Sequence, residues 1–219
     1  MTFSILAFDP ISKAFGGASA TGNICVGGWV LRADPRYGIS ATQGAEVSTL
    51  WGEDVIKIMS QGFNAKEAVL KTIENDHKKN FRQLSAIDTK GNSNSFDGKS
   101  NEKFIGSYSE KNLVISGNTM KNQEVIPAML DEFKLQQKEF PQKLIRALYK
   151  GFESGGDIRG IQSAALLIVS LKYPPINLRV DLSPNPIFEL ENLYKKTLEK
   201  KYKNWLKLLP VRSIDRSHK

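Results

Sequence analysis

Met1-Thr2-Phe3-Ser4-Ile5-Leu6-Ala7-Phe8-Asp9 opens the chain, and the reading of the fold turns on it. Residues 3–8 are apolar with one serine and stop at Asp9-Pro10, which predicts a buried β-strand followed by a turn. Thr2 stands at the head of that strand. Its small side chain permits removal of Met1, which leaves a free α-amine beside the threonine hydroxyl. An α-amine ordinarily titrates at about 7.7–8.0, so part of it is unprotonated at neutral pH. Nucleophile and base then share one residue, and no histidine is required. The plainer reading is a β-branched residue that begins an edge strand.

Working outward, residues 14–21, 26–31 and 37–43 read as three further strands, short and dotted with glycine. The period changes at Ser48, where Leu50, Trp51, Val55, Ile58 and Met59 fall on one helical face that ends at Gly62. Asn64-Ala65-Lys66-Glu67 reads as a capping box opening a second helix, with Ala68, Val69 and Ile73 inward. Strands return at 82–88, 94–96, 104–108 and 113–116. Two helices follow, one carrying Val125, Ile126, Met129, Leu130 and Phe133, the other starting near Pro141 and carrying Leu144, Leu148 and Phe152. Ser154-Gly155-Gly156-Asp157 is a helix stop, with strands at 162–170 and 178–181 beyond it. From Asn185-Pro186 the residues Ile187, Leu190, Tyr194, Leu198, Tyr202, Trp205 and Leu209 make one amphipathic stripe. The order predicts an α+β chain of two stacked sheets covered by helix pairs, a four-layer sandwich. One domain over 1–195, a basic helix over 186–209 packed on it and a frayed tail at 210–219 are expected.

The 219 residues are 40% hydrophobic and 25% charged, an ordinary globular composition. No apolar run approaches the roughly 18 residues of a membrane span. The first residues include Asp9 and lack a basic leader, so no signal peptide is expected and the chain reads as cytoplasmic. One cysteine, Cys25, and two histidines, His77 and His218, argue against a disulfide, a zinc site or a Ser-His-Asp triad. No metal or cofactor is expected. Of the net charge of +8, residues 191–219 supply +6, so the body of the chain is close to neutral and a nucleic-acid partner is not expected. The basic face of the last helix reads as a solvated face, with a membrane surface or partner helix as the alternatives.

A set of short motifs in order extends the reading. Met1-Thr2-Phe3-Ser4-Ile5-Leu6-Ala7, Ala41-Thr42-Gln43-Gly44, Arg82-Gln83-Leu84 and Ser116-Gly117-Asn118 are followed by residues 155–166, beginning Gly155-Gly156-Asp157-Ile158-Arg159-Gly160, and by residues 177–186. Together they resemble the DUF1028 family, grouped with the N-terminal nucleophile (Ntn) hydrolases, across nearly the whole chain to about residue 195. The resemblance implies an αββα Ntn-like fold and an amidohydrolase that cleaves a small amide or peptide-like substrate. Its alternative is an inactive ligand-binding or scaffold protein of the same fold, and a homodimer or higher homo-oligomer follows by analogy.

Carried over residue by residue, the resemblance makes Thr2 the nucleophile and Gly44, after Gln43, an oxyanion donor. Asp157 orients or charge-stabilises the Thr2 ammonium. Thr21, Arg32, Gln43, Asn118, Gln162 and Ser163 line a substrate site. Each has a plainer reading: a strand-end turn for Gly44 and Asn118, helix termination for Asp157, an ion pair with Asp34 for Arg32. Proteasome-like relatives place an aspartate and a lysine beside the nucleophile; this chain has Thr21-Gly22 at the aspartate's place. Cys25, between Ile24 and Val26, is a rival nucleophile that reads better as a small buried residue.

Overall fold

A computed structural model describes residues 2–102, 104–135 and 137–211. Strand β1 (Thr2–Asp9) and β2 (Ala14–Thr21) form the first hairpin. The Asp9 carboxylate closes its turn by accepting the Ile11 and Ser12 backbone N–H groups at 3.1 and 3.2 Å, which is why Asp9-Pro10 ends the strand. A short helix α1 (Val26–Trp29) leads into β3 (Leu31–Asp34) and β4 (Gly38–Gly44). Helices α2 (Thr49–Ser60) and α3 (Ala65–Ile73) precede β5 (Arg82–Asp88), β6 (Ser93–Asp97), β7 (Gly106–Glu110) and β8 (Leu113–Asn118). Then come α4 (Val125–Leu135), α5 (Phe140–Glu153), β9 (Ser163–Val169), β10 (Ile176–Val180), α6 (Pro186–Thr197) and α7 (Lys200–Leu206).

The chain is α+β with two antiparallel sheets. One has six strands in the order β10-β9-β2-β1-β8-β7, the other four in the order β3-β4-β5-β6. The alternation of β1 divides its side chains between two apolar clusters. Phe3, Ile5 and Ala7 pack with Met129, Leu144 and Leu148 of α4 and α5. Leu6 and Phe8 pack with Phe15 of β2 and with Ile39 and Ile87 of the other sheet. Both faces are therefore apolar, which is why residues 3–8 do not alternate in hydrophobicity. A third cluster joins Trp51, Val55, Ala68 and Val69 of α2 and α3 to Leu84 and Ala86 of β5. The predicted capping box is present: Glu67 N–H donates to the Asn64 side chain, and Asn64 N–H donates to the Glu67 carboxylate, both at 3.0 Å. Among the described residues no helix is long and apolar enough to cross a membrane.

Four expectations are corrected. Residues 26–31 are not one strand, because Val26-Gly27-Gly28-Trp29 turns into a helix before Leu31 begins β3. Its glycines let the backbone lie on Arg179: a Cβ at Gly27 would sit 2.6 Å from Arg179 Cγ. The strand expected at 104–108 begins at Gly106, and Phe104 instead exchanges backbone hydrogen bonds with Met120. Leu50 and Phe152, expected inward, are exposed. The C-terminal stripe is two helices: it breaks at Leu198-Glu199, where Glu199 turns extended (ψ 142°). Ile187, Leu190 and Tyr194 are buried, whereas Tyr202 and Trp205 are exposed. The tail reading for 210–219 falls outside the described residues from 212 onward.

Leu6 is wholly buried between the sheets. Leu6→Ala is expected to lower unfolding free energy by about 2–5 kcal/mol, measured by urea denaturation; a loss below about 1 kcal/mol would mean that this cluster does not hold the sheets together.

Candidate functional site around Thr2

The register of the six-stranded sheet puts Thr2 opposite Thr21 on β2 and opposite Asn118 on β8. Thr2 is thus a central-strand residue at a sheet end, not an edge residue. Its Oγ1 donates to Thr21 Oγ1 at 3.2 Å, and its N–H donates to Asn118 Oδ1 at 3.1 Å. Its carbonyl accepts from Gln43 Nε2 at 3.0 Å. Every polar atom of Thr2 is held by a neutral side chain.

Strand alternation continues beneath it. Ser4, two residues along, points its hydroxyl between the sheets and donates to Gln43 Oε1. Gln43 Nε2 also donates to Gln83 Oε1 at 2.6 Å. Gln83 Nε2 in turn donates to Asp97 Oδ1 at 2.7 Å and to the carbonyls of Gly106 and Gly117 at 3.0 and 3.1 Å. The space between the sheets is accordingly apolar at one end and lined by amides and hydroxyls at the Thr2 end. Sequence reading singled out Gln43 but passed over Ser4 and Gln83. Both are polar residues at inward positions of buried strands, and that was the available signal.

A cleft of about 330 Å³ opens above Thr2, walled by Thr21, Asn23, Ile24, Val26, Trp29 and Val30 on one side and by Gln43, Gly44 and Val47 on the other. Gly44 has φ +137° and no room for a side chain; a Cβ would lie 2.5 Å from Phe81 O. Antiparallel alternation fixes where its N–H points. Thr42 N–H donates to Val30 O on the β3 side, and by the same alternation Gly44, two residues on, turns its N–H to that side, past the start of β3. Asn101, which sequence reading missed, holds this turn by accepting Ala45 N–H at 2.8 Å.

The other predicted site residues lie behind the cleft wall. Asp157 is buried, and its carboxylate accepts Gly22 N–H at 2.5 Å and pairs with Arg159 at 3.1 Å. It holds the turn after Thr21 and does not touch Thr2. Gln162 Nε2 donates to Gly22 O at 2.8 Å, and Ser163 Oγ donates to Asn23 O at 2.7 Å while accepting Val26 N–H at 3.0 Å. These three residues pin the backbone from Gly22 to Val26, and so the wall. Asn118 contacts Thr2 directly. Arg32 is not in the cleft. Its guanidinium donates to Glu53 and to the carbonyls of Leu31 and Gly28 at 2.9–3.3 Å, while Asp34 pairs instead with Arg36 at 2.7 Å. Cys25 is half-buried and caps α1 in the left-handed conformation with φ +62°. His77 is exposed, as its polar turn predicts.

The chain resembles known proteins over nearly its whole length. A crystal structure of protein SPO2555 from Silicibacter pomeroyi, a DUF1028 protein, is 41% identical, covers 96% of this chain and 95% of its own, and superposes with a TM-score of 0.92. Anbu (ancestral beta-subunit) from Yersinia bercovieri aligns over 96% of this chain and all of its own, but at 12% identity and a TM-score of 0.41. No curated protein matches. The family model described as "Family of unknown function (DUF1028)" matches residues 2–190, and this chain belongs to that family.

Proposed function

We propose that the chain is an Ntn-type amidohydrolase, with Thr2 as its nucleophile once the bond between Met1 and Thr2 is cleaved. The observation that carries this reading is the setting of Thr2: the tip of a central strand, at the floor of a cleft that Gly44 of the facing sheet also lines. The layer order helix–sheet–sheet–helix, as one domain over residues 1–195, is part of the same proposal. Its support is the three apolar clusters, one between the sheets and one between each sheet and its helices.

The chemistry follows from the geometry. Thr2 Oγ attacks the amide carbon, and the α-amine, held by Asn118 Oδ1, takes the hydroxyl proton. Gly44 N–H donates to the developing oxyanion. Collapse of the tetrahedral intermediate breaks the C–N bond, and the α-ammonium returns its proton to the leaving amine. Water then attacks the threonyl ester, giving up a proton to the α-amine, and the carboxylic acid leaves with the Thr2 hydroxyl restored. Asp157, Gln162 and Ser163 serve as positioning residues for the cleft wall. A homodimer or higher homo-oligomer remains part of the proposal by analogy.

A ligand-binding protein built on the same cleft is the second reading. It is favoured by the commitment of Asp157 to Gly22 and Arg159 and by a cleft lining without lysine.

Intact mass of the purified protein separates the two, since the hydrolase requires loss of Met1 and a retained Met1 rules it out. Thr2→Ala is expected to lower amide turnover at least about 10³-fold with the unfolding midpoint little changed; undiminished turnover would exclude Thr2 as nucleophile. With the α-amine as base, kcat/KM is expected to be low in acid and to rise with pH as the amine loses its proton. A rate that stays flat from acid to alkaline pH would remove the amine from the mechanism.

A further inference from the structure

The walls of the Thr2 cleft specify the acyl group it takes, an inference that rests on the proposed hydrolase site. None of the residues lining the cleft is charged. Its polar side chains are Thr2, Thr21 and Gln43 at the floor and the exposed Asn23 at the wall. Its rim carries Ile24, Trp29 and Val47, which are 54%, 53% and 40% exposed. Three large apolar side chains left in water around one opening form the kind of patch that a surface retains for a ligand. The volume of about 330 Å³ falls in the range of small-molecule pockets, roughly 300–1,000 Å³.

The charges closest in the chain are spent elsewhere. Arg32 is held by Glu53 and two carbonyls, Glu46 pairs with Lys78 at 2.7 Å, and the Asp157 carboxylate faces Arg159 behind Gly22. A carboxylate at the far end of the acyl chain, away from the Thr2 α-amine at the floor, would lose water among the apolar walls without meeting a cationic side chain, which is strongly unfavourable.

Trp29 is also fixed in advance. It ends α1, whose Gly27 lies against Arg179 and Ala165 without room for a Cβ. Cys25 N–H anchors the start of that turn to Asp181 O at 2.9 Å. A wall seated this way loses little freedom when a ligand packs on the indole.

We propose that the cleft selects an uncharged, apolar acyl group, aliphatic or aromatic, packed on Trp29, and rejects acyl groups that carry a carboxylate. The probes are phenylacetyl and hexanoyl anilides beside an adipic acid monoanilide, whose chain matches the hexanoyl group and ends in a carboxylate. Binding is measured by calorimetry on protein lacking Met1 and carrying Thr2→Ala, so that it is read without turnover. The neutral anilides are expected to bind at least tenfold more tightly than the carboxylate. Trp29→Ala is expected to remove most of that preference, and Val47→Lys, which sets a cation at the opposite rim, to reverse it. Equal or tighter binding of the carboxylate, or an unchanged preference in both variants, would overturn the proposal. The hydrolase reading fails separately, through absent turnover by the Thr2 protein while selective binding persists.

Discussion

Two primary amides, those of Gln43 and Gln83, tie the two sheets together beneath the candidate site. Gln43, on the four-stranded sheet, donates to the carbonyl of Thr2 and accepts from Ser4, both on the central strand of the six-stranded sheet, and donates to Gln83 beside it. Remove that side chain and three buried polar groups lose a partner at once, each at a cost of about 1–3 kcal/mol. The position of Thr2 relative to Gly44 depends on this tie, because the two residues belong to different sheets and no strand pairing connects them. The tie also explains why the space between the sheets is not filled with leucine and phenylalanine throughout. Apolar packing sets the distance between the sheets at one end, and amides set the lateral placement at the other.

The elements were mostly legible because their signals are local. The Asn64–Glu67 capping box, the Pro141 helix start and the glycine stop at 155–156 each depend on neighbours within a few residues, and each is present. Failures came where a distant partner decides. Gly27-Gly28 reads as strand punctuation until Arg179, some 150 residues on, is seen lying across it. The last stripe keeps its period through Leu209, but the helix breaks at Leu198-Glu199, and beyond it Tyr202 and Trp205 of the stripe are exposed.

The site divided the same way. Thr2, Thr21, Gln43, Gly44 and Asn118 come together because strand register places them there. Arg32 sits next to Leu31 of the apolar cluster between the sheets, and a cation there reads in sequence as a site residue. Strand alternation carries its side chain away from the cleft, to Glu53 and Gly52 of α2. The Asp157 carboxylate holds Gly22 N–H and Arg159 rather than Thr2, a contact between residues 135 apart that only the fold reveals.

The six-stranded sheet is assembled out of chain order, and this bears on when its first residue can be reached. Thr2 is 8% exposed, with Thr21 on one flank and Asn118 on the other. The first flank is made within twenty residues, but β8 begins at Leu113 and β9, which completes the sheet beyond β2, begins at Ser163. At the roughly 5–20 residues per second of synthesis, the open side of the first strand stays uncovered for several seconds or longer on the ribosome. The setting of the candidate nucleophile is therefore a late product of synthesis, complete only when the second flank has been made.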